Sequence, residues 1–161
     1  MTSKQHHYQV HVTWTGNEGT GTSTHRSYSR AHVLQAPGKA PIEGSSDPSF
    51  RGDPTRWNPE ELLLGSLSAC HKLWYLGLCA AAGVVVVAYE DAAEGTMIEE
   101  SDGAGQFTAV VLKPQVVLAP GSDAQKAQEL HHVAHEKCFI ARSVNFPVGV
   151  EARIVFGETG V

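Results

Sequence analysis

The sequence predicts an α+β protein of two layers, with antiparallel strands packed against two helices. Three observations carry this reading. The run Asn58–Val84 is apolar around nearly its whole circumference and opens with helix-capping residues. Stretches that alternate between polar and apolar residues lie on both sides of it. A second capped segment begins at Ser122 and is followed by one more alternating stretch.

Taken in order, Tyr8–Thr15 places Tyr8, Val10, Val12 and Trp14 on one face and polar residues on the other, the pattern of a half-buried strand. Gly16-Asn17-Glu18-Gly19-Thr20-Gly21 is turn chemistry. Thr22–Leu34, rich in Ser, Thr and Tyr, reads as a second long strand with Arg26, Tyr28, Arg30 and His32 sharing a face. Pro41–Trp57 is less regular. Its last part, Phe50-Arg51-Gly52-Asp53-Pro54, leads into the central helix as a candidate functional loop.

The central helix begins with Asn58 as N-cap, Pro59 at the first helical position and Glu61 completing a capping box. Leucines and aromatics cover its surface, which marks a buried helix. Glu60, Glu61, His71 and Lys72 argue against a membrane span. Gly83 ends the helix. Val84–Val87 opens a β-branched run that continues through Ala88–Met97. Ser101–Gly105 is a hairpin-type turn, and Phe107–Leu118 is a strand with Pro114 at an edge or bulge. Ser122 caps a second helix running to about Arg142, with Gln125 at the box position. Pro147–Phe156 is the last strand.

A chain of 161 residues fits one domain spanning 1–161, with a sizeable core. Hydrophobic content of 42% and charged content of 18% describe a globular protein. A formal net charge of −5 argues against nucleic-acid binding. The first residues lack the apolar core of a signal peptide. With that, three cysteines indicate a cytoplasmic protein whose thiols are free or redox-active, not a disulfide framework.

The chemistry turns on Cys70 and Cys138, each in a predicted helix. Lone cysteines are often inert small hydrophobes. A reactive one needs a neighbouring cation to lower its thiol pKa. Arg51, Arg30 and Arg56 are the candidates, and Glu60 in the first helical turn is placed to hold an arginine in a two-pronged pair. Cys79 falls on the opposite side of the helix from Cys70 at about 100° per residue, and reads as structural. His131, His135 and Cys138 share one helix face, a spacing that can hold a metal. They have no evident fourth ligand, although His132 or His71 could be invoked, and no metal or other cofactor is expected.

Asn58-Pro59-Glu60-Glu61-Leu62-Leu63 followed by Cys70, and a second cysteine late in the second helix before a final alternating strand, resemble the OsmC/Ohr family of hydroperoxide-reducing proteins. The order of elements is similar over nearly the whole chain. The resemblance implies the OsmC-like fold, an intertwined homodimer, and a thiol peroxidase that reduces organic hydroperoxides and is restored by an external dithiol. It implies Cys70 as the peroxidatic residue, Cys138 as the resolving one, and Arg51 as the activating arginine paired with Glu60. Phe139 departs from the family pattern, which commonly has proline after the second cysteine. A dimer also suits the spacing of Glu60 and Cys70. At about 1.5 Å per residue they lie roughly 15 Å apart along one helix. Two such helices running antiparallel about an axis near Gly65 set position 60 of one opposite position 70 of the other.

Overall fold

The structure, a computed structural model, describes residues 3–158. They divide into two compact units, the boundary falling between residues 62 and 63.

The first unit carries β1 (His11–Trp14), β2 (His32–Gln35) and β3 (Ile42–Gly44), paired antiparallel in that order. The predicted long strand Thr22–Leu34 is corrected here, since only its end is a strand. Side chains explain why. The Ser27 hydroxyl donates to the Gly21 carbonyl at 2.9 Å, and the Thr24 amide donates back to Ser27 Oγ at 3.0 Å. Asn17 Oδ1 takes the amides of Gly19 and Gly21, both at 3.0 Å. Short polar side chains that bond nearby backbone compete with a strand ladder, and a Ser/Thr/Asn-rich run loses to them. Of the predicted shared face, Tyr28 and Arg30 are still neighbours, the Arg30 guanidinium carbon lying 4.0 Å from the Tyr28 ring centroid.

Helix α1 (Pro59–Ala81) starts as the sequence predicts. The Glu61 amide donates to Asn58 Oδ1 at 2.8 Å, and the Asn58 amide donates to Glu61 Oε2 at 3.3 Å. It also stops as predicted. Gly83 adopts φ 73°, Val84 N donates to Cys79 O at 2.9 Å, and Gly83 N donates to Ala80 O at 3.3 Å. This is the paired bonding of a left-handed helix stop, which favours glycine. By length and hydropathy α1 meets the criteria for a membrane span. Its buried stripe, however, is Leu67, His71, Tyr75 and Cys79, and it packs into the cores of the second unit.

Three predicted strand runs follow, and each is broken once. The first gives β4 (Val86–Asp91) and β5 (Glu94–Glu99), the second β6 (Gly105–Leu112) and β7 (Pro114–Leu118), the third β8 (Val148–Val150) and β9 (Arg153–Phe156). The breaks are level with one another, because Asp91 pairs with Pro114, Glu94 with Val111 and Leu112 with Val150. The sheets β4-β7-β9 and β5-β6-β8 are thus the two halves of one ribbon bent across its width. Asp91 ties the bend. Its carboxylate accepts the Lys113 amide at 2.7 Å and the Ser68 hydroxyl of α1 at 2.5 Å.

The expectation of purely antiparallel sheets needs amending. β8 runs parallel to β6, and β9 parallel to β7. The cause is the second helix, α2 (Ala124–Lys137), which lies between these runs in sequence. A helical crossover returns the chain to the sheet in its original direction. The cap of α2 is Asp123, whose Oδ1 accepts the Lys126 amide at 2.9 Å. The predicted cap, Ser122, instead accepts the Val85 amide at 3.2 Å.

Two cores lie in the second unit. Tyr75, Cys79, Val116, Leu118, Ala127 and Ala134 form one between α1, α2 and the β4-β7-β9 sheet. Leu67, Val110 and Leu112 form the other, with Phe146 and Ile140 packed against them.

Candidate active site

Cys70 sits in the middle of α1, half-buried. Cys138 is buried, 1% exposed, and is not inside α2 as predicted. It is the residue that caps its C-terminus, with extended backbone at φ −65° and ψ 112°. The helix ends sooner than predicted because the next residues form a separate 3₁₀ turn, Ala141–Ser143. The Ala141 amide points at Cys138 Sγ, 3.5 Å away. The two thiols, remote in sequence, are neighbours in the fold. Burial, and after it the adjacent Cys70 thiol, push the Cys138 thiol up to about 11. Cys138 is therefore a neutral thiol at neutral pH, while Cys70 is the more accessible of the two.

Beside the pair is an apolar cavity of about 470 Å³, lined by Leu73, Trp74, Gly77, Leu78 and Phe139. Leu73 and Trp74 follow Cys70 by one helical turn, and Phe139 follows Cys138 directly. Trp74 and Phe139 meet edge to face, with centroids 5.4 Å apart. Phe146 lies elsewhere, packed on Phe107 beside the Leu67 core.

The predicted arginine and carboxylate belong to the first unit. The loop before α1 holds a 3₁₀ turn, Pro48–Phe50, capped by Asp47, and then Arg51 at φ 65°. Arg51 is the one non-glycine residue at positive φ among the described residues. Such a conformation costs about 1–3 kcal/mol and is a recurrent mark of functional loops. Gly52 follows because a Cβ there would strike the Ser46 carbonyl. Arg51 is exposed and makes no ion pair among the described residues. The alternatives are engaged. Arg56 lies 3.5 Å from Glu43 and 3.8 Å from Asp53, and Arg30 donates to the Tyr28 carbonyl at 2.7 Å. Glu60 Oε2 is buried with no hydrogen-bond partner among the described residues.

Cys79 is 1% exposed in the Tyr75 core, and its thiol is pushed up by burial, away from reactivity. His131, His135 and Cys138, whose spacing could hold a metal, are not drawn together, and the Cys138 thiol lies beside Cys70 instead. No three His, Cys, Asp or Glu side chains gather to ligate a metal among the described residues. His131 instead meets His71 of α1, ring nitrogen to ring nitrogen at 3.0 Å, and stacks on Tyr75 with centroids 3.8 Å apart. Burial holds both imidazoles neutral. Sequence reasoning missed this pair. The one hint was a histidine, His71, on a helix whose every face is otherwise apolar.

The profile of the OsmC-like protein family matches residues 52–153, so the chain belongs to that family. An OsmC-like protein of unknown function from Vibrio cholerae is 34% identical, with a TM-score of 0.81 over 94% of this chain and 100% of its own. YmaD of Bacillus subtilis, itself uncharacterized, is 23% identical over 94% of this chain and 97% of its own. The organic hydroperoxide resistance protein OhrB of Bacillus subtilis shares the fold, with a TM-score of 0.60 at 22% identity over 92% of this chain and 98% of its own.

Proposed function

We propose that this protein is a thiol-dependent peroxidase that reduces organic hydroperoxides, and hydrogen peroxide, through Cys70 and Cys138. The observation that carries the reading is that an accessible thiol and a buried, neutral one lie side by side on two neighbouring elements. The Cys70 thiolate attacks the outer peroxide oxygen, the O–O bond breaks, and an alcohol leaves after taking a proton. Cys70 is then a sulfenic acid. The Cys138 sulfur attacks the Cys70 sulfur, water leaves with the thiol proton, and a disulfide forms. An external dithiol reduces it by exchange. In sum, one peroxide and two reducing equivalents yield alcohol and water. The apolar cavity next to the thiols suits a substrate with an organic group.

Arg51 is the cation we assign to thiolate stabilisation, held by Glu60. Its support is the held, left-handed backbone of Arg51, its freedom from other ion pairs among the described residues, and a buried Glu60 oxygen that lacks a partner there. We further propose a homodimer in which Glu60 of one chain serves Cys70 of the other. An exposed stripe on α1, namely Gly65, Ala69, Leu73 and Gly77, supports close approach of a second helix. Added Cβ atoms at Gly65 and Gly77 would meet nothing within 4 Å, so this face is uncovered in the single chain. The setting is cytoplasmic, where thiols are kept reduced.

The test is stopped-flow tryptophan fluorescence of the reduced protein, mixed with an organic hydroperoxide and, separately, with hydrogen peroxide. The reading expects second-order oxidation faster than that of a free thiol, with the organic substrate preferred. Oxidation no faster than a free thiol with either peroxide would sink it and leave a non-catalytic small-molecule binding module on the same fold.

A further inference from the structure

Cys70 and Cys138 are neighbours, but they differ in access. Cys70 lies in the interior of α1, held by the helix around it, and is half-buried. Cys138 is 1% exposed. Its backbone is tied on both sides: its amide donates to the His135 carbonyl at 3.4 Å, and its carbonyl accepts the Arg142 amide at 3.1 Å. The Ala141 amide lies 3.5 Å from its sulfur. A thiolate that attacks a disulfide needs a sulfur it can reach. A bond between these two residues therefore presents a reachable sulfur at Cys70 and a shielded one at Cys138.

We propose that Cys138 sets the choice of reductant: the external thiol attacks the Cys70 sulfur, and Cys138, released beside it, rejects any reductant that carries a single thiol. This rests on the Cys70–Cys138 disulfide of the reading above. In the first step the incoming thiolate bonds to the Cys70 sulfur, the Cys70–Cys138 bond breaks, and its electron pair goes to Cys138, which takes up a proton. Cys70 then carries a mixed disulfide. Cys138, still its neighbour, attacks the same sulfur, expels the reductant as a thiolate and restores the internal disulfide. A dithiol escapes this return. Its second thiolate attacks its own bound sulfur, releases Cys70 and leaves as a cyclic disulfide, so two electrons have passed from dithiol to protein. A monothiol needs a second molecule from solution, and proximity favours Cys138 over that molecule. Burial weighs the other way. A thiol raised from 9.0 to about 11 holds about a hundredfold less thiolate, partly offset by the greater nucleophilicity of a more basic sulfur, so the net loss in attack rate is about tenfold. The effective concentration of a group held beside its target outweighs that factor against a millimolar thiol.

The experiment uses no peroxide, so its outcome is separate from whether the protein is a peroxidase. Full-length reduced protein and the variants Cys70→Ser and Cys138→Ser are treated with oxidised glutathione, freed of it and digested with trypsin. Cleavage after Arg56, Lys72, Lys137 and Arg142 puts Cys70 in residues 57–72 and Cys138 in residues 138–142. The proposal expects wild type to end as the internal disulfide without glutathione, and Cys138→Ser to keep glutathione on residues 57–72. A fresh monothiol then removes it from Cys138→Ser at least about tenfold faster than it removes glutathione from residues 138–142 of Cys70→Ser, and a Cys70→Ser that takes up none agrees with the shielding as well. Glutathione that persists on Cys70 in wild type overturns the proposal. So does a wild type that forms no internal disulfide, and so does exchange at Cys138 as fast as at Cys70. If either variant fails to fold, the wild-type result decides alone.

Discussion

The neutral, buried thiol of Cys138 has a consequence for stability that can be measured. In an unfolded chain a cysteine ionises near its ordinary value of 9.0, whereas in the folded protein burial and the Cys70 contact hold Cys138 protonated up to about 11. The folded value is the higher one. Between the two, the unfolded state gives up a proton that the folded state keeps. Stability from this group is therefore complete below about pH 9 and is lost as pH rises towards 11. Each tenfold change in proton affinity is worth about 1.4 kcal/mol, so the full loss is about 3 kcal/mol and about 2 kcal/mol of it has gone by pH 10.5. The perturbation is Cys138→Ala, which removes the titrating group together with its contact to Cys70. Unfolding free energies of wild type and variant, both reduced, are measured in urea from pH 8 to 10.5. The wild type's free energy should fall by about 2 kcal/mol more than the variant's. Two parallel profiles would refute the reasoning, and with it the assignment of Cys138 as the thiol kept in reserve.

Other outcomes follow from the same geometry. Cys70→Ser should show no peroxide reduction, while Cys138→Ser should consume about one equivalent and stall as a sulfenic acid, seen by mass spectrometry as over-oxidation in excess peroxide. Arg51→Met should slow Cys70 alkylation at neutral pH by removing the cation assigned to its thiolate, and the same change at Arg30 or Arg56 should do less; alkylation rates of each variant decide between them. Co-refolding Glu60→Ala with Cys70→Ser should restore part of the activity that each variant lacks, since one site of the mixed dimer is intact; background activity in proven mixed dimers would return Glu60 to a helix-end role. Asp91→Ala should destabilise the protein by about 2–3 kcal/mol in denaturant unfolding, because the Lys113 amide loses its charged acceptor at the bend.

Much of this was legible without coordinates. Helix α1 announces both its ends through local chemistry: Asn58 and Glu61 cap each other, and Gly83 takes a backbone conformation that side chains resist. Such signals lie within a few residues and need no tertiary partner. The strand runs were legible too, as alternation, and Pro114 marked one of their three breaks, but the other two breaks were not. Nothing near Ala92, Lys113 or Glu151 in sequence says that the three bend at one level. That depends on which residues pair across the sheet. The long strand expected at Thr22–Leu34 failed for a local reason, the hydroxyl and amide side chains that bond their own backbone.

The site divides along the same line. Sequence by itself determined the α1 frame that carries Cys70, and, through the motif, the family to which the chain belongs. It also singled out Arg51 and Glu60 as residues worth following. Only the tertiary structure decided that Cys138 lies beyond its helix with its thiol on Cys70, that Cys79 is sealed in a core, and that His71 and His131 meet. The physical reason is separation along the chain. Caps, turns and periodicity are set by neighbours a few residues apart. The meeting of two thiols or two imidazoles some sixty residues apart is set by how α1 and α2 pack over the bent sheet, which no local pattern encodes.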